Sequence, residues 1–485
     1  MITITMKRMI GGCLLLCGAL AAKTQERPNI VLFIADDVSC DDIGCYGNRD
    51  VKTPNIDRLA ASGIKFTNMF LTASSSSPSR NSIITGRYPH NTGGAELHTE
   101  PPDYMISFPE ILRNNGYYTV QAGKFHMGTY ARRGFDAVNE NEKLNGDGGE
   151  ELWVSCLHDR LPDKPFFMWF AAYDAHRGWG PNEFSGTHAP SSLLPPRYLG
   201  QGAKTKSDLA QYYDEIARFD SYIGKVYNEL SKQGVADNTL IIIMADNGRP
   251  FPHSKTRVND RGLQSPFIIH WPKGIGINAI TSNSMISSVD IAPTILELAS
   301  SEIPKTVQGR SFSKLLTKPG KKFRNFVFAE HNWHDYEAHE RMVRTKDLLY
   351  ILNSRPQFPQ TGPADAIGSS SFLELDSLCR HGKITFEQSD IFTAPRPAEE
   401  LYDCSKDPVQ FDNLINTAEY LMKAKQMRSI LRKWMNTTGD NIPDNITRDW
   451  YERVPGYIKT SYINIRGEPV DQKYNATRNN KKGRF

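Results

Sequence analysis

Four short apolar runs in this sequence each deliver titratable side chains at their C-terminal end. Asn29–Ala35 (NIVLFIA) runs into Asp36-Asp37, and Tyr117–Ala122 into Lys124 and His126. Phe166–Ala172 runs into Asp174 and His176, and Thr239–Ala245 into Asp246-Asn247. Any one of these groups alone reads as a solvated loop or a helix cap. Four together read as one polar site, because parallel strands present their carboxyl ends to a common edge, and open α/β sheets bind ligands there. Asp36, Asp37, Asp246 and Asn247 offer oxygen donors only, with no His or Cys among them. Three carboxylates and an amide form a mostly protein-built cage, which suits Ca²⁺ better than the more hydrated Mg²⁺ and does not suit zinc.

A fifth segment, Ser76-Ser77-Pro78-Ser79-Arg80, is followed by Ile84-Thr85-Gly86-Arg87. Pro78 suits the first turn of a helix and Gly86 its end. Ser76 is therefore expected just ahead of a helix N-terminus, where free N–H groups and the helix dipole favour an anion. By composition alone the same stretch is a polar loop with a helix cap.

The elements that must position these groups follow from hydrophobic pattern. The four apolar runs alternate with helical stretches at Pro54–Ser62, Phe108–Asn114, Lys206–Gln233 and Ile291–Ala299, which implies a mainly parallel sheet with helices on both faces. A chain of 485 residues is too long for one simple core and reads as a large domain plus a smaller one. A composition 39% hydrophobic and 23% charged excludes a disordered or fibrous chain, and 58 basic against 54 acidic residues do not indicate a nucleic-acid binder.

Lys7 and Arg8, the apolar run Met9–Ala22 and the small residues around Ala19-Leu20-Ala21 read as a secretory signal peptide over residues 1–21. The expected location is secreted or periplasmic. Leu16 argues against a lipoprotein reading of Leu14–Cys17, and no later run is long enough to span a bilayer. Cys40, Cys45, Cys156, Cys379 and Cys404 are too few for a disulfide scaffold, although one or two bridges fit. Asn436, Asn445 and Asn475 lie in glycosylation sequons, which matter only in a eukaryotic host.

The Ser76–Arg87 stretch resembles the signature of the sulfatase family, Cys-or-Ser-x-Pro-Ser-Arg followed by Leu-Thr-Gly-Arg, here in the Ser form with Ile84 in the Leu position. Gly116-Tyr117, Thr119 and Ala122–His126 match a second signature of that family. So do Asn29-Ile30-Val31, Thr53–Ala60, Glu400–Asp403, Asp407-Pro408 and Asn413-Leu414, and the resemblance covers nearly all of residues 28–415. It implies an alkaline-phosphatase-like α/β sandwich with a smaller C-terminal domain containing a short antiparallel sheet. It further implies that Ser76 is oxidised to formylglycine, whose hydrate is the nucleophile, by a serine-type formylglycine-generating maturase of a bacterial host. Asp36, Asp37, Asp246 and Asn247 would bind a Ca²⁺ that also contacts residue 76. Arg80 would steady the diol, Lys124 and Lys255 would neutralise sulfate oxygens, His126 would assist breakdown of the covalent sulfate, and His176 would protonate the leaving group.

Within the family, Asp246–Thr256 and the His176-Arg177 pair resemble the heparan N-sulfatase (sulfamidase) branch, with Ala175 in place of its Pro and Lys255 in place of its Arg. The expected function is an exported sulfatase acting in exo fashion on N-sulfoglucosamine of heparin or heparan sulfate. An O-sulfatase on another glycosaminoglycan or on a marine polysaccharide (ulvan- or carrageenan-like) is the alternative. A phosphoesterase of the same superfamily, against which the single metal cage argues, and a sugar-binding pseudo-enzyme stand further back. By the same resemblance the catalytic domain spans 23–345 and the smaller domain 346–485. Arg341–Asn353 is expected as a strand leading into the second domain, Ser354–Glu399 as an irregular rim loop, and Glu330 and His331 as readers of the sugar.

Overall fold

The computed structural model describes residues 27–453, 466–467 and 476–483. The expected signal peptide, Asn475 of the third sequon, and residues 454–465, 468–475 and 484–485 lie outside them. Among the described residues fourteen strands occur in chain order: β1 (Asn29–Ala35), β2 (Ile64–Phe66), β3 (Met69–Phe70), β4 (Tyr118–Gly123), β5 (Ala137–Asn139), β6 (Phe166–Ala171) and β7 (Thr239–Ala245) lead. β8 (Phe267–His270), β9 (Ile280–Ser282), β10 (Ile286–Ser287), β11 (Val327–Trp333), β12 (Glu337–Arg344), β13 (Leu348–Asn353) and β14 (Glu399–Asp403) follow.

Eight strands form one sheet in the order β5-β4-β6-β1-β7-β8-β2-β9. From β5 to β7 all neighbours are parallel, and only β8 runs against its partners. The continuous apolar β1 is the signature of a strand covered on both faces. Ile30, Leu32 and Ile34 enter one core layer, and Val31, Phe33 and Ala35 enter the other, as the two-residue side-chain period requires. The four strands whose ends carry the polar groups are consecutive in the sheet, β4-β6-β1-β7, so their C-terminal ends lie side by side.

A second sheet, β11-β12-β13-β14, is fully antiparallel. The helix Leu421–Thr438 covers one of its faces through Ala424, Met427, Ile430, Leu431 and Trp434, with Trp434 stacked on Phe328 at a centroid distance of 4.9 Å.

Three local expectations are corrected. Arg341–Asn353 is two strands, because the polar triplet Thr345-Lys346-Asp347 turns the chain and Thr345 N–H donates to Leu348 O at 2.8 Å. The boundary drawn at 345 falls in that turn, two strands into the small sheet. The 354–399 excursion is not irregular: it contains helices at Ala364–Ile367, Ser370–Arg380 and Phe386–Ser389. The last two are capped by the Ser369 side chain and by a Thr385–Gln388 capping box, local signals that hydrophobic period does not register. All five described cysteines are free. No helix among the described residues is long and apolar enough to cross a membrane.

Candidate active site

The strand ends are locked together before any ligand is considered. Asp36 N–H donates to Asp174 O and Ala175 N–H to Asp36 O, both at 2.7 Å, and Asp246 N–H donates to Ala35 O at 3.1 Å. Gly123 closes β4 with a φ of 88°, and a Cβ there would stand 2.0 Å from Ala171 O, so only glycine lets Lys124 turn in beside β6. Asp37 (φ 60°) and His126 (φ 46°) hold left-handed backbone without being glycine, the local strain that concentrates at functional sites.

Carboxylate oxygens of Asp36, Asp37 and Asp246 lie within 4.8 Å of one another, and all three residues are buried. Asn247 completes the set, its Nδ2 donating to Asp37 at 2.5 Å and its Oδ1 accepting from the Ser76 hydroxyl at 3.1 Å. Ser76 opens the helix Ser76–Thr85 as its first residue, one position further in than the sequence suggested, and Gly86 ends it at φ 67°. The Ser76 hydroxyl also donates to Asp36 at 3.2 Å and stands 3.5 Å from Lys124 Nζ.

Cations surround this cluster. Arg80, on the same helix, donates from Nε to Asp246 at 2.8 Å. Lys124 pairs with Asp36. Lys255 donates to Asp37 at 2.7 Å and to Asp365 at 2.9 Å. Burial works against ionisation of Asp36, but Lys124, His176 and Arg80 outweigh it and hold its carboxyl far below the usual range. Burial wins at Asp246, where it and the neighbouring Asp36, against Arg80, push the pKa to about 6. Burial likewise opposes the charge on Lys255, and Asp365 and Asp37 overcome it to raise that ammonium above its usual value.

His176 stands at the mouth with its side chain 38% exposed. Its Nδ1 lies 2.9 Å from the carbonyl of Arg177, which can only accept, so Nδ1 carries a proton. Nε2 then faces Asp365 at 3.5 Å and Asp37 at 4.0 Å. Arg177 forks onto Asp208 at 2.8 and 2.9 Å and donates from Nε to Pro250 O at 2.5 Å, with Trp179 and Phe251 against its guanidinium. A cavity of about 420 Å³ opens over Asp36, Lys124, His176 and Arg177, with Tyr173 and Arg218 also in its lining.

His126 is turned toward His98, Nε2 to Nδ1 at 2.9 Å. His98 in turn donates from its backbone N–H to the Ser77 hydroxyl at 2.9 Å. Burial first, then Lys124 and His98, depress the His126 pKa well below the ordinary value.

Glu330 and His331 are buried away from the cavity lining, against the expectation that they face a sugar. Glu330 is 1% exposed and accepts from the backbone N–H of His90 and pairs with its ring, each at 2.6 Å. His331 is 3% exposed and faces Glu340 at 3.7 Å. β11 is covered on both faces, so both side chains of its alternation point inward.

Sequence reasoning missed Asp365, which bridges Lys255 and His176 from a short helix inside the 354–399 excursion. It also missed His98. Neither carries a motif; Asp365 follows Pro363-Ala364 as an ordinary first-turn acid.

The residues present fit a divalent cation. With His176 at the mouth left aside, the formal charges of the inner cluster are four carboxylates (Asp36, Asp37, Asp246, Asp365) against three cations (Arg80, Lys124, Lys255), all buried or half-buried. Taken alone, that surplus of negative charge repels an anionic ligand; a divalent ion reverses its sign. The hard oxygen donor set matches Ca²⁺.

The chain is similar to known proteins in sequence and in fold. The family model described as Sulfatase matches residues 28–301, and that of N-sulphoglucosamine sulphohydrolase, C-terminal, matches 253–350. An ulvan-active sulfatase of Formosa agariphila is 29% identical, over 87% of this chain and 77% of its own length. Human N-sulphoglucosamine sulphohydrolase is 29% identical, over 86% of this chain and 91% of its own. A solved structure in complex with its substrate D-glucosamine-2-N,6-O-disulfate shares the fold with a TM-score of 0.66 at 22% identity, over 85% of this chain and 98% of that one. A 2-O glycosaminoglycan sulfatase does so with a TM-score of 0.68 at 19% identity, over 90% and 98%. The first match spans more than half of the chain, and on that ground this protein belongs to the sulfatase family, as a hydrolase of a sulfate ester or a sulfamide.

Proposed function

We propose that the chain is an exported, formylglycine-dependent sulfatase that removes the N-sulfate from a terminal N-sulfoglucosamine of heparin or heparan sulfate. One observation carries the substrate class. Of the two segments that resemble the sulfamidases, His176-Arg177 lines the cavity and Asp246–Thr256 packs directly against it, joined by the hydrogen bond from Arg177 to Pro250 and by the packing of Arg177 on Phe251.

Asp36, Asp37, Asp246 and Asn247 would hold the Ca²⁺, which supplies positive charge to the sulfate oxygens. As a hydrated aldehyde, residue 76 supplies an oxygen nucleophile. The chain's own residues do the rest. The first turn of the Ser76–Thr85 helix turns its N–H groups and the positive end of its dipole toward the anion. Lys124, 3.5 Å from the residue 76 oxygen, and Lys255, fixed between Asp37 and Asp365, add two ammonium charges where charge develops. His176 holds one proton at Nδ1 against the Arg177 carbonyl. A second proton on Nε2, the face turned to the acids and the cavity, passes to the departing amine. The cavity volume lies within the range of small-ligand sites, which supports attack at a chain end.

An O-sulfatase is the second reading, supported by the similarity to ulvan-active sulfatases over 87% of the chain. N-sulfoglucosamine and glucosamine 6-O-sulfate offered separately, with released sulfate measured, decide between them. Sulfate from the N-sulfated sugar is the expected result. Release only from the O-sulfated sugar overturns the N-sulfatase reading and keeps the sulfatase. A phosphate monoester run alongside tests the phosphoesterase alternative.

A further inference from the structure

Positive charge collects at one place that the catalytic site does not use. The longest helix among the described residues, Ala203–Lys232, balances Lys204, Lys206, Arg218, Lys225 and Lys232 against Asp208, Asp214, Glu215, Asp220 and Glu229, as the whole chain balances its charges. The helix Leu421–Thr438 carries Lys423, Lys425, Arg428, Arg432 and Lys433 and no acid in its 18 residues. A helix that is merely solvated gains from opposite signs at i,i+4, and like signs at that spacing repel. Here Arg428 and Arg432 are such a like-charged pair, and Lys425 and Arg428 stand three apart.

Packing decides where these charges point. The buried apolar residues of the helix are committed to the small sheet, so Lys425, Arg432 and Lys433 face away from it and Arg428 lies at its margin. Lys425, Arg428, Arg432 and Lys433 recur at i, i+3, i+7 and i+8 and share one stripe. With Lys481 from the C-terminal segment they line a shallow cavity of about 730 Å³ that has no acidic and no aromatic residue in its lining. Arg428 is pinned by Glu399, Nε to the two carboxylate oxygens at 3.0 and 2.9 Å, which fixes its guanidinium in advance. Lys425, Arg432, Lys433 and Lys481 are exposed. From Lys425 to Asn436 the stripe runs about 16 Å along the helix axis.

We infer that this groove is a second binding site for a sulfated polysaccharide, gripping the chain away from the end that is cut. The inference rests on the proposed substrate class. A linear polyanion is the ligand that relieves the mutual repulsion of the stripe, and its repeating charges match a row of cations. Single-stranded nucleic acid is disfavoured by the lack of an aromatic platform on which bases stack. A pocket that takes a terminal sugar holds little of a long chain, so a distant grip adds affinity for polymer that a monosaccharide cannot use.

The test compares the wild type with K425Q/R432Q/K433Q and with K425E/R432E/K433E, both altered only on the solvent face. Both variants are expected to elute from immobilised heparin at lower salt, the charge reversal at the lowest. Both are expected to raise KM for heparin chains by roughly 10-fold at low ionic strength, with turnover of monomeric N-sulfoglucosamine unchanged. Elution at the wild-type salt concentration, or an unchanged KM for the polymer, overturns the groove. So does retention on duplex DNA stronger than on heparin. Elution is read without turnover, so a protein that releases sulfate from no saccharide fails the proposed activity, while the salt at which each variant elutes still supports or overturns the groove.

Discussion

The edge of the large sheet and the seam beneath the small one both bury charge, and they use it oppositely. At the edge, Asp36, Asp37, Asp246 and Asp365 outnumber Arg80, Lys124 and Lys255, two backbone positions are strained, and His176 reaches solvent. At the seam, His90, Glu330, Arg341 and Asp440 balance two against two. Arg341 donates to Asp440 at 2.6 and 2.8 Å, and the ring of His90 meets Glu330 at 2.6 Å. Burial lowers the His90 pKa, but Glu330 and Asp440 prevail and raise it, which favours the charged form of the ring. An unbalanced buried cluster is poised for a ligand; a balanced one ties the segment after the signature helix to β11 and β12. Substitutions should therefore separate activity from stability according to region.

The largest effect is expected at residue 76. Ser76→Ala should cut sulfate release by roughly five orders of magnitude or more with an unchanged melting temperature. Protein from its native host should show a loss of two hydrogens on the peptide containing Ser76. Exhaustive chelation should likewise stop turnover and Ca²⁺ should restore it; full activity in metal-free protein would remove the acids from a ligand role.

Next comes the acid. His176→Ala should slow substrates with amine or sugar-alcohol leaving groups by about 10²–10⁴-fold, while aryl sulfates, whose phenol needs little protonation, lose far less. Equal losses on both would take His176 out of proton transfer.

At the seam, Glu330→Gln should cost about 3–5 kcal/mol of stability, because it leaves His90 and Arg341 short of a partner in a buried network, and kcat should hold. The sign of its pH dependence is fixed by His90. A raised folded pKa means stability fully present below the unfolded value, about 6.5, and lost as pH rises through the folded pKa. Denaturant titrations at several pH values should show that slope in the wild type and flatten it in Glu330→Gln.

The smallest effect sharpens the contrast. Asp365→Asn should lower kcat by roughly 10-fold, with KM and melting temperature nearly unchanged, because the amide no longer anchors Lys255. A fall in melting temperature equal to that of Glu330→Gln would place Asp365 with the structural acids.

The framework was legible because it is written in local pattern. NIVLFIA and TLIIIMA are strands at the predicted bounds, since an unbroken apolar run of that length is covered on both faces. Phe108–Asn114 is a helix at its predicted bounds, opened by Pro109 in its first turn. Acids and lysines that follow such strands fall to the same edge by topology alone, which is why Asp36, Asp37, Lys124, His176, Asp246 and Asn247 could be grouped from the sequence.

What the sequence determined by itself, then, is the group of oxygen-bearing residues whose position follows from a strand ending, together with Ser76 at a helix start and the family. Only the tertiary structure decided which polar groups outside those motifs reach the site. Glu330 and His331 lie on a strand covered from both sides, and burial turned them into partners of His90 and Glu340. Asp365, 110 residues from Lys255, entered because the 354–399 excursion folds back over the sheet edge. A hydrogen bond between residues so far apart leaves no periodicity in either segment; it exists only once both layers have packed.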